Sequence, residues 1–207
     1  MNDFLQELRT RRWDDHRFYH QSRINQSLHF VSALSFLVAY VMLFTSPAIA
    51  AVIGWIVSMG TRQSGHFFFE PRGYDHVNRA THAHKEAIKV GYNLRRKVVL
   101  IAIWAASPFV LLADPTLFGV FAPARGPQDL LEQVGLLWLA IGVAGLLFRT
   151  VQLFFIRDVR TGLVWMTKIL TDPFHDARIY RRAPLHLLRG ELIDPMPHAA
   201  IGHHPGD

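Results

Sequence analysis

Three long apolar runs, residues 30–60, 98–113 and 134–156, hold a single charged side chain between them, Arg149. Such a run folds either as a helix buried on every side or as a helix crossing a bilayer, whose core of about 30 Å takes about 20 residues. The runs are too long for strands and show no period-two alternation. Half of the 207 residues are hydrophobic and 18% are charged, a balance that excludes an unfolded chain. There is no Cys, which excludes a disulfide scaffold, a zinc ribbon, an iron–sulfur cluster and a thiol nucleophile. The net charge of +6 lies in segments flanking the apolar runs, the pattern of a membrane protein rather than a nucleic-acid binder.

The basic residues define an orientation. Five precede the first run, eight lie between the first and second, Arg125 alone separates the second from the third, and seven follow the third. Short loops rich in Lys and Arg stay in the cytoplasm. Both termini and residues 62–97 are therefore expected inside and residues 114–133 outside, as in a bacterial inner membrane. This requires the first run to cross twice or to re-enter, with Ser46-Pro47 as the turn of a tight hairpin. The expected fold is all-α: a polytopic helical membrane protein with about four membrane-embedded helices. A soluble bundle of apolar helices is the alternative. Residues 1–195 read as one domain and residues 196–207 as a disordered tail. Asp172-Pro173 reads as a helix stop or as a new cap followed by proline at the first helical position.

The histidines are unevenly placed. His16, His20, His29, His66, His76, His82 and His84 fall in the first 84 residues, and the next is His175. All lie in segments assigned to the cytoplasmic side or at its membrane border. Converging imidazoles with a carboxylate suit iron, zinc or copper. His16 and His20 are four apart, as are His66 and Glu70, and His82 and Glu86, so each pair shares a helical face. A chain break near Ser22-Arg23, followed by a helix carrying Asn25 and His29, lets His20 and His29 point the same way. No phosphate loop, dinucleotide fingerprint, zincin motif or serine elbow is present.

Two stretches resemble a known family. Phe18-Tyr19-His20, with Asn25 and His29 beyond, is similar to the first signature of the membrane-bound 2-hydroxy fatty acid dioxygenases. Gly65-His66-Phe67-Phe68-Phe69-Glu70 is similar to the second, and a membrane hairpin separates the two in both cases. The resemblance covers about residues 16–78. It departs at Gln21-Ser22-Arg23-Ile24, where an Asn-Pro is usual, and at Pro71-Arg72-Gly73-Tyr74, where a basic residue and Pro-Ala are usual.

The resemblance implies an Fe(II)-dependent oxygenase that uses O₂ and shortens 2-hydroxy fatty acids by one carbon within the bilayer. It makes His20, His29 and His66 iron ligands, and Glu70 a fourth ligand or an acceptor orienting an imidazole N–H. Asn25 is expected to hold His20 or His29 in place. His82 and His84 are further candidate metal ligands. They would serve the alternative reading, a di-metal lipid hydroxylase or desaturase, which could also recruit His175. A non-catalytic membrane protein is the third reading.

Overall fold

The structure is a computed structural model and describes residues 2–90 and 94–196. It is all-helical, with no strand among the described residues. The helices are α1 (Asn2–Tyr19), α2 (Arg23–Met42), α3 (Pro47–Val52), α4 (Gly60–Phe68) and α5 (His82–Ile88). They continue with α6 (Leu94–Ala106), α7 (Pro108–Ala113), α8 (Pro127–Ile156), α9 (Val159–Ile179) and α10 (Ala183–Leu188). A π-helical segment, Ile53–Met59, joins α3 to α4.

The hairpin turn falls at residues 43–46, with Pro47 opening α3, where its missing N–H costs nothing. The returning arm runs through α3, the π segment and α4, without an intervening loop. Three helices are long and apolar enough to cross a membrane: Arg23–Met42, the α6–α7 stretch Arg95–Ala113, and Pro127–Ile156. The returning arm, the fourth embedded helix of the sequence reading, carries Thr61, Arg62, Gln63, Ser64 and His66 near its end and is not among the three. The three spans expose apolar side chains outward, among them Val41, Val99, Leu112 and Phe155. Faces of that kind need an apolar environment.

Two helix boundaries differ from the sequence expectation. The helix of the third run begins at Pro127, seven residues early, because Gln133 anchors the preceding loop by donating to the Ala122 carbonyl (2.6 Å). Asp172-Pro173 does not end a helix; α9 passes through Pro173 to Ile179. Buried ion pairs on Asp172 and Asp176, either side of the proline, hold this stretch of α9 in register with α1 and α4. Arg149, alone in its apolar run, is also buried: it donates to the Val90 carbonyl (2.5 Å) and to Gln152 (2.6 Å), tying the segment after α5 to α8. Met196, assigned to the tail, is buried. Residues 197–207 of that tail lie outside the described residues.

The returning arm packs closely against α6 and α8. Trp55 stacks on Trp104 with ring centres 5.2 Å apart, and its indole N–H donates to the Trp138 carbonyl at 2.9 Å. One turn lower, Gly135 lies against the Ala48 backbone: a Cβ on Gly135 would meet the Ala48 carbonyl oxygen at 2.4 Å. Backbone cannot yield as a flexible side chain does. Gly135→Ala should therefore destabilise the fold by about 1–3 kcal/mol, read as a lower melting temperature in detergent. Gly60→Ala, with open space around its Cβ position, should be neutral or stabilising by up to about 1 kcal/mol. Equal melting temperatures for Gly135→Ala and wild type would contradict the close approach.

Candidate metal centre

The site begins at a corner in the chain. Helix α1 stops at Tyr19 and α2 starts at Arg23, with the Ser22 hydroxyl accepting from the Asn25 N–H. Two amides hold the corner. Asn25 Nδ2 donates to the Tyr19 carbonyl (2.8 Å), and Gln26 Nε2 donates to the His20 carbonyl (2.7 Å) and to Asp194 (2.9 Å). From the other side, the chain after α10 crosses the corner. Arg23 N–H donates to the Leu192 carbonyl, Asp194 N–H to the Gln21 carbonyl, and Asp194 pairs with the Arg23 guanidinium at 3.0 Å. His20 thereby leaves α1 and turns toward His29 on α2.

Helix α4 brings His66 to the same place. This needs a glycine at 65, because a Cβ there would lie 2.1 Å from Asn25 Oδ1. The three imidazoles are buried, with ring centres 4.1 Å (His20–His29), 4.9 Å (His29–His66) and 5.2 Å (His20–His66) apart. One ligand atom from each lies within 4.8 Å of the other two, so the group could hold a metal ion.

Two of the three imidazoles are met at Nδ1 by an oxygen. His20 Nδ1 is 2.9 Å from the Tyr180 hydroxyl, and His66 Nδ1 is 2.8 Å from Glu70 Oε2. His29 Nδ1 lies 3.6 Å from Asp176 Oδ2, beyond hydrogen-bond reach, so it has no partner among the described residues. The far nitrogens of His20 and His29 are buried without a partner too. A buried, unpaired ring nitrogen is costly, and a metal ion bound there removes the cost. A histidine whose other nitrogen meets a carboxylate or hydroxyl is the usual form of a metal ligand. The donor set thus fits a metal.

The electrostatics point the same way. Burial, then the neighbouring His29, pushes His20 well below its ordinary pKa; burial, then Lys97, does the same for His66. Both are held as neutral imidazole, the form that ligates metals. Burial raises the Tyr180 phenol well above its ordinary value, assisted by Asp176, so it keeps its proton. Its hydroxyl also contacts His16 Nδ1 at 3.2 Å. It can accept from His20 Nδ1–H while donating to His16. Burial raises the Glu70 carboxyl against the pull of Lys89 and Lys97.

An ion-pair network sets α9 in register with this group. Arg12 pairs with Asp172 (3.1 Å) and donates to Thr171 (2.7 Å), Lys168 pairs with Asp15 (3.0 Å) and with Asp172, and Arg62 pairs with Asp176 (3.0 Å). Three acids and three bases join α1, α4 and α9. Asp15 illustrates the balance: burial would raise its pKa, but Lys168 and Arg62 hold it well below the usual carboxylate range.

Of the residues expected from the sequence, His20, His29, His66 and Glu70 come together here. Asn25 touches the Tyr19 carbonyl and packs against Gly65, so it shapes the corner instead of bonding to an imidazole. His82 lines a cleft beside His66, and His84 is exposed; neither joins the three-histidine group. His16 reaches His20 only through Tyr180. Tyr180 and Arg62 were not legible as site residues, whereas Asp176 was readable, with His175, as a residue folding back over the site. Asp172, Asp176 and Tyr180 do repeat every four residues along α9, a stripe whose meaning depends on what packs against it. Comparison of the chain with family models, with curated proteins and with solved structures found no match.

Metal analysis of the detergent-purified protein should find about one metal ion per chain. His20→Ala, His29→Ala and His66→Ala should each lose it. Tyr180→Phe, which strips His20 of its hydroxyl partner, and Glu70→Gln, which keeps an acceptor but removes the carboxylate charge behind His66, should each weaken metal affinity about 10–100-fold. His84→Ala and His186→Ala should keep it. Retention of the metal by all three core histidine variants would place the metal elsewhere.

Proposed function

We propose that this protein is a membrane-embedded, iron-dependent oxygenase acting on a fatty acid or related lipid, with oxidative one-carbon shortening of 2-hydroxy fatty acids as its reaction. The observation that carries the reading is the buried group of His20, His29 and His66, with unpaired far nitrogens on His20 and His29 and oxygen partners behind Nδ1 of His20 and His66. The resemblance of the segments around His20 and His66 to the 2-hydroxy fatty acid dioxygenases supplies the metal, Fe(II), and the substrate class. No match from the comparisons adds to it.

His20, His29 and His66 would hold the iron. Three protein ligands leave coordination positions for substrate and O₂, and the bound iron supplies the redox chemistry. The chain's own part is orientation and exclusion of water. Tyr180 and Glu70 fix which nitrogen of His20 and of His66 faces inward. Arg62 pairs with Asp176 and holds it toward His29. The corner at Ser22 and the close approach at Gly65 leave little slack for the ligands to drift.

The three apolar helices place the protein in a bilayer in this reading, and the basic flanks put the histidine group at the cytoplasmic face. An acyl chain then lies along the exposed apolar helices while its head reaches the imidazoles. The chain lacks native cysteine, so single cysteines report topology. Gly73→Cys should be labelled by an impermeant maleimide only after the cells are opened, and Ala122→Cys should be labelled in intact cells. The reverse pattern would move the site to the outer face.

Iron-loaded protein given 2-hydroxypalmitate and air should consume O₂ and yield a product one carbon shorter. Palmitate without the hydroxyl should not be shortened. His66→Ala should abolish turnover, while His84→Ala should retain it within about threefold, since surface substitutions away from the site change little. Two irons per chain, or hydroxylation without chain shortening, would favour a di-metal hydroxylase. A chain that binds no metal would remove the oxygenase reading.

A further inference from the structure

One charged feature beside the metal centre is left without a role. A narrow cleft next to His66 is lined by Glu70, Arg72, Glu86, Lys89 and Lys97. Lys89 is committed: its Nζ lies 3.0 Å from Glu86, 3.9 Å from Glu70 and 3.8 Å from the centre of the Tyr19 ring. Arg72 is exposed at the rim and donates to the Phe67 carbonyl at 2.8 Å. Lys97 is half-buried and, among the described residues, has neither a hydrogen bond nor a carboxylate within 4.0 Å. Beside His66 and His82, the cleft carries three basic side chains against two acidic ones, and Lys97 is a basic one with no carboxylate within salt-bridge distance among the described residues. A partly desolvated ammonium without a counter-ion is unfavourable, and an anion that docks on it is bound more strongly than in water.

Position narrows the ligand. Lys97 is the third residue of the span Arg95–Ala113, and Val98 and Val99 beside it are exposed apolar side chains. A charged head on Lys97 would continue into an apolar tail along the helix. The surplus of a single basic side chain calls for a monoanion, and the narrow cleft favours a flat carboxylate over a bulkier phosphate. Because His66 lines the same cleft, that carboxylate would lie next to the three-histidine group.

We propose that this cleft is the carboxylate subsite for an acyl-chain acid, with Lys97 as the residue that receives the carboxylate and Arg72 as the cation at its mouth. The proposal deepens the oxygenase reading and rests on it for the orientation of the acid toward the histidines, though not for the charge that binds it.

Binding of radiolabelled palmitate to the full chain in an uncharged detergent tests it, with and without prior metal removal by a chelator. Palmitate should bind at least about 10-fold more tightly than methyl palmitate, hexadecanol or hexadecyl phosphate in both states. Lys97→Met should weaken palmitate binding about 10–100-fold while leaving hexadecanol binding unchanged. Lys97→Arg should restore most of the loss. Metal content measured on the same samples separates the two readings. A normal metal content with no effect of Lys97→Met overturns the subsite alone, whereas lost metal with a persistent Lys97 effect overturns the oxygenase reading alone. Equal affinity of the wild type for palmitate and its methyl ester overturns the subsite without any variant. So does tighter binding of hexadecyl phosphate.

Discussion

Burying three imidazoles side by side is the demand around which the rest of the structure is arranged. Each ring carries two nitrogens that water would otherwise satisfy, and each nitrogen taken from water must be paired or pays for its isolation. The fold answers on one side only. Tyr180 from α9 meets His20, Glu70 meets His66, and Asp176 approaches His29. On the inner side, His20 and His29 have no partner among the described residues. A cluster that leaves inner ring nitrogens unpaired in this way could hold a cation between them.

The outer partners come largely from the C-terminal half, far from the histidines in sequence. Helix α9 carries Asp172, Asp176 and Tyr180 at intervals of four, and the ion pairs with Arg12, Arg62 and Lys168 set its register against α1 and α4. Breaking one such buried pair leaves an uncompensated charge, which costs far more than the intact pair contributes. The network therefore matters less as a source of stability than as a device fixing where Asp176 and Tyr180 stand. The segment at residues 192–194 does similar work by hydrogen bonding, closing over the corner that redirects the chain between His20 and His29.

The apolar helices meet a different demand. Their outward faces expose valine, leucine and phenylalanine over three long segments, while their inward contacts depend on small residues, as at Gly135 against Ala48. Arg149 shows how a charge can be tolerated within such a helix, since its guanidinium is taken up by the Val90 carbonyl and Gln152. The histidine group sits where the hairpin's polar ends meet α1 and α9. The same helices thus join an outward apolar face to a polar, histidine-bearing end.

Much of this was legible in the residues themselves. The apolar runs, the proline at 47 and the break at Ser22 follow from local rules of length, backbone geometry and capping, which act within a few residues of chain. His66 and Glu70 were readable as a pair because helical spacing alone brings positions four apart together. The convergence of His20, His29 and His66 was read from their shared cytoplasmic side and from a resemblance, since no local rule relates α2 to α4. Tyr180 and Lys97 carried no signal, and His82 and His84 lie outside the three-histidine group. A tyrosine or an aspartate on a polar helix looks alike whether it faces water or an imidazole. The ring nitrogen it serves is brought to it by the packing of α9 on α1, α2 and α4, through contacts more than a hundred residues apart in the chain, and only the tertiary structure decides them.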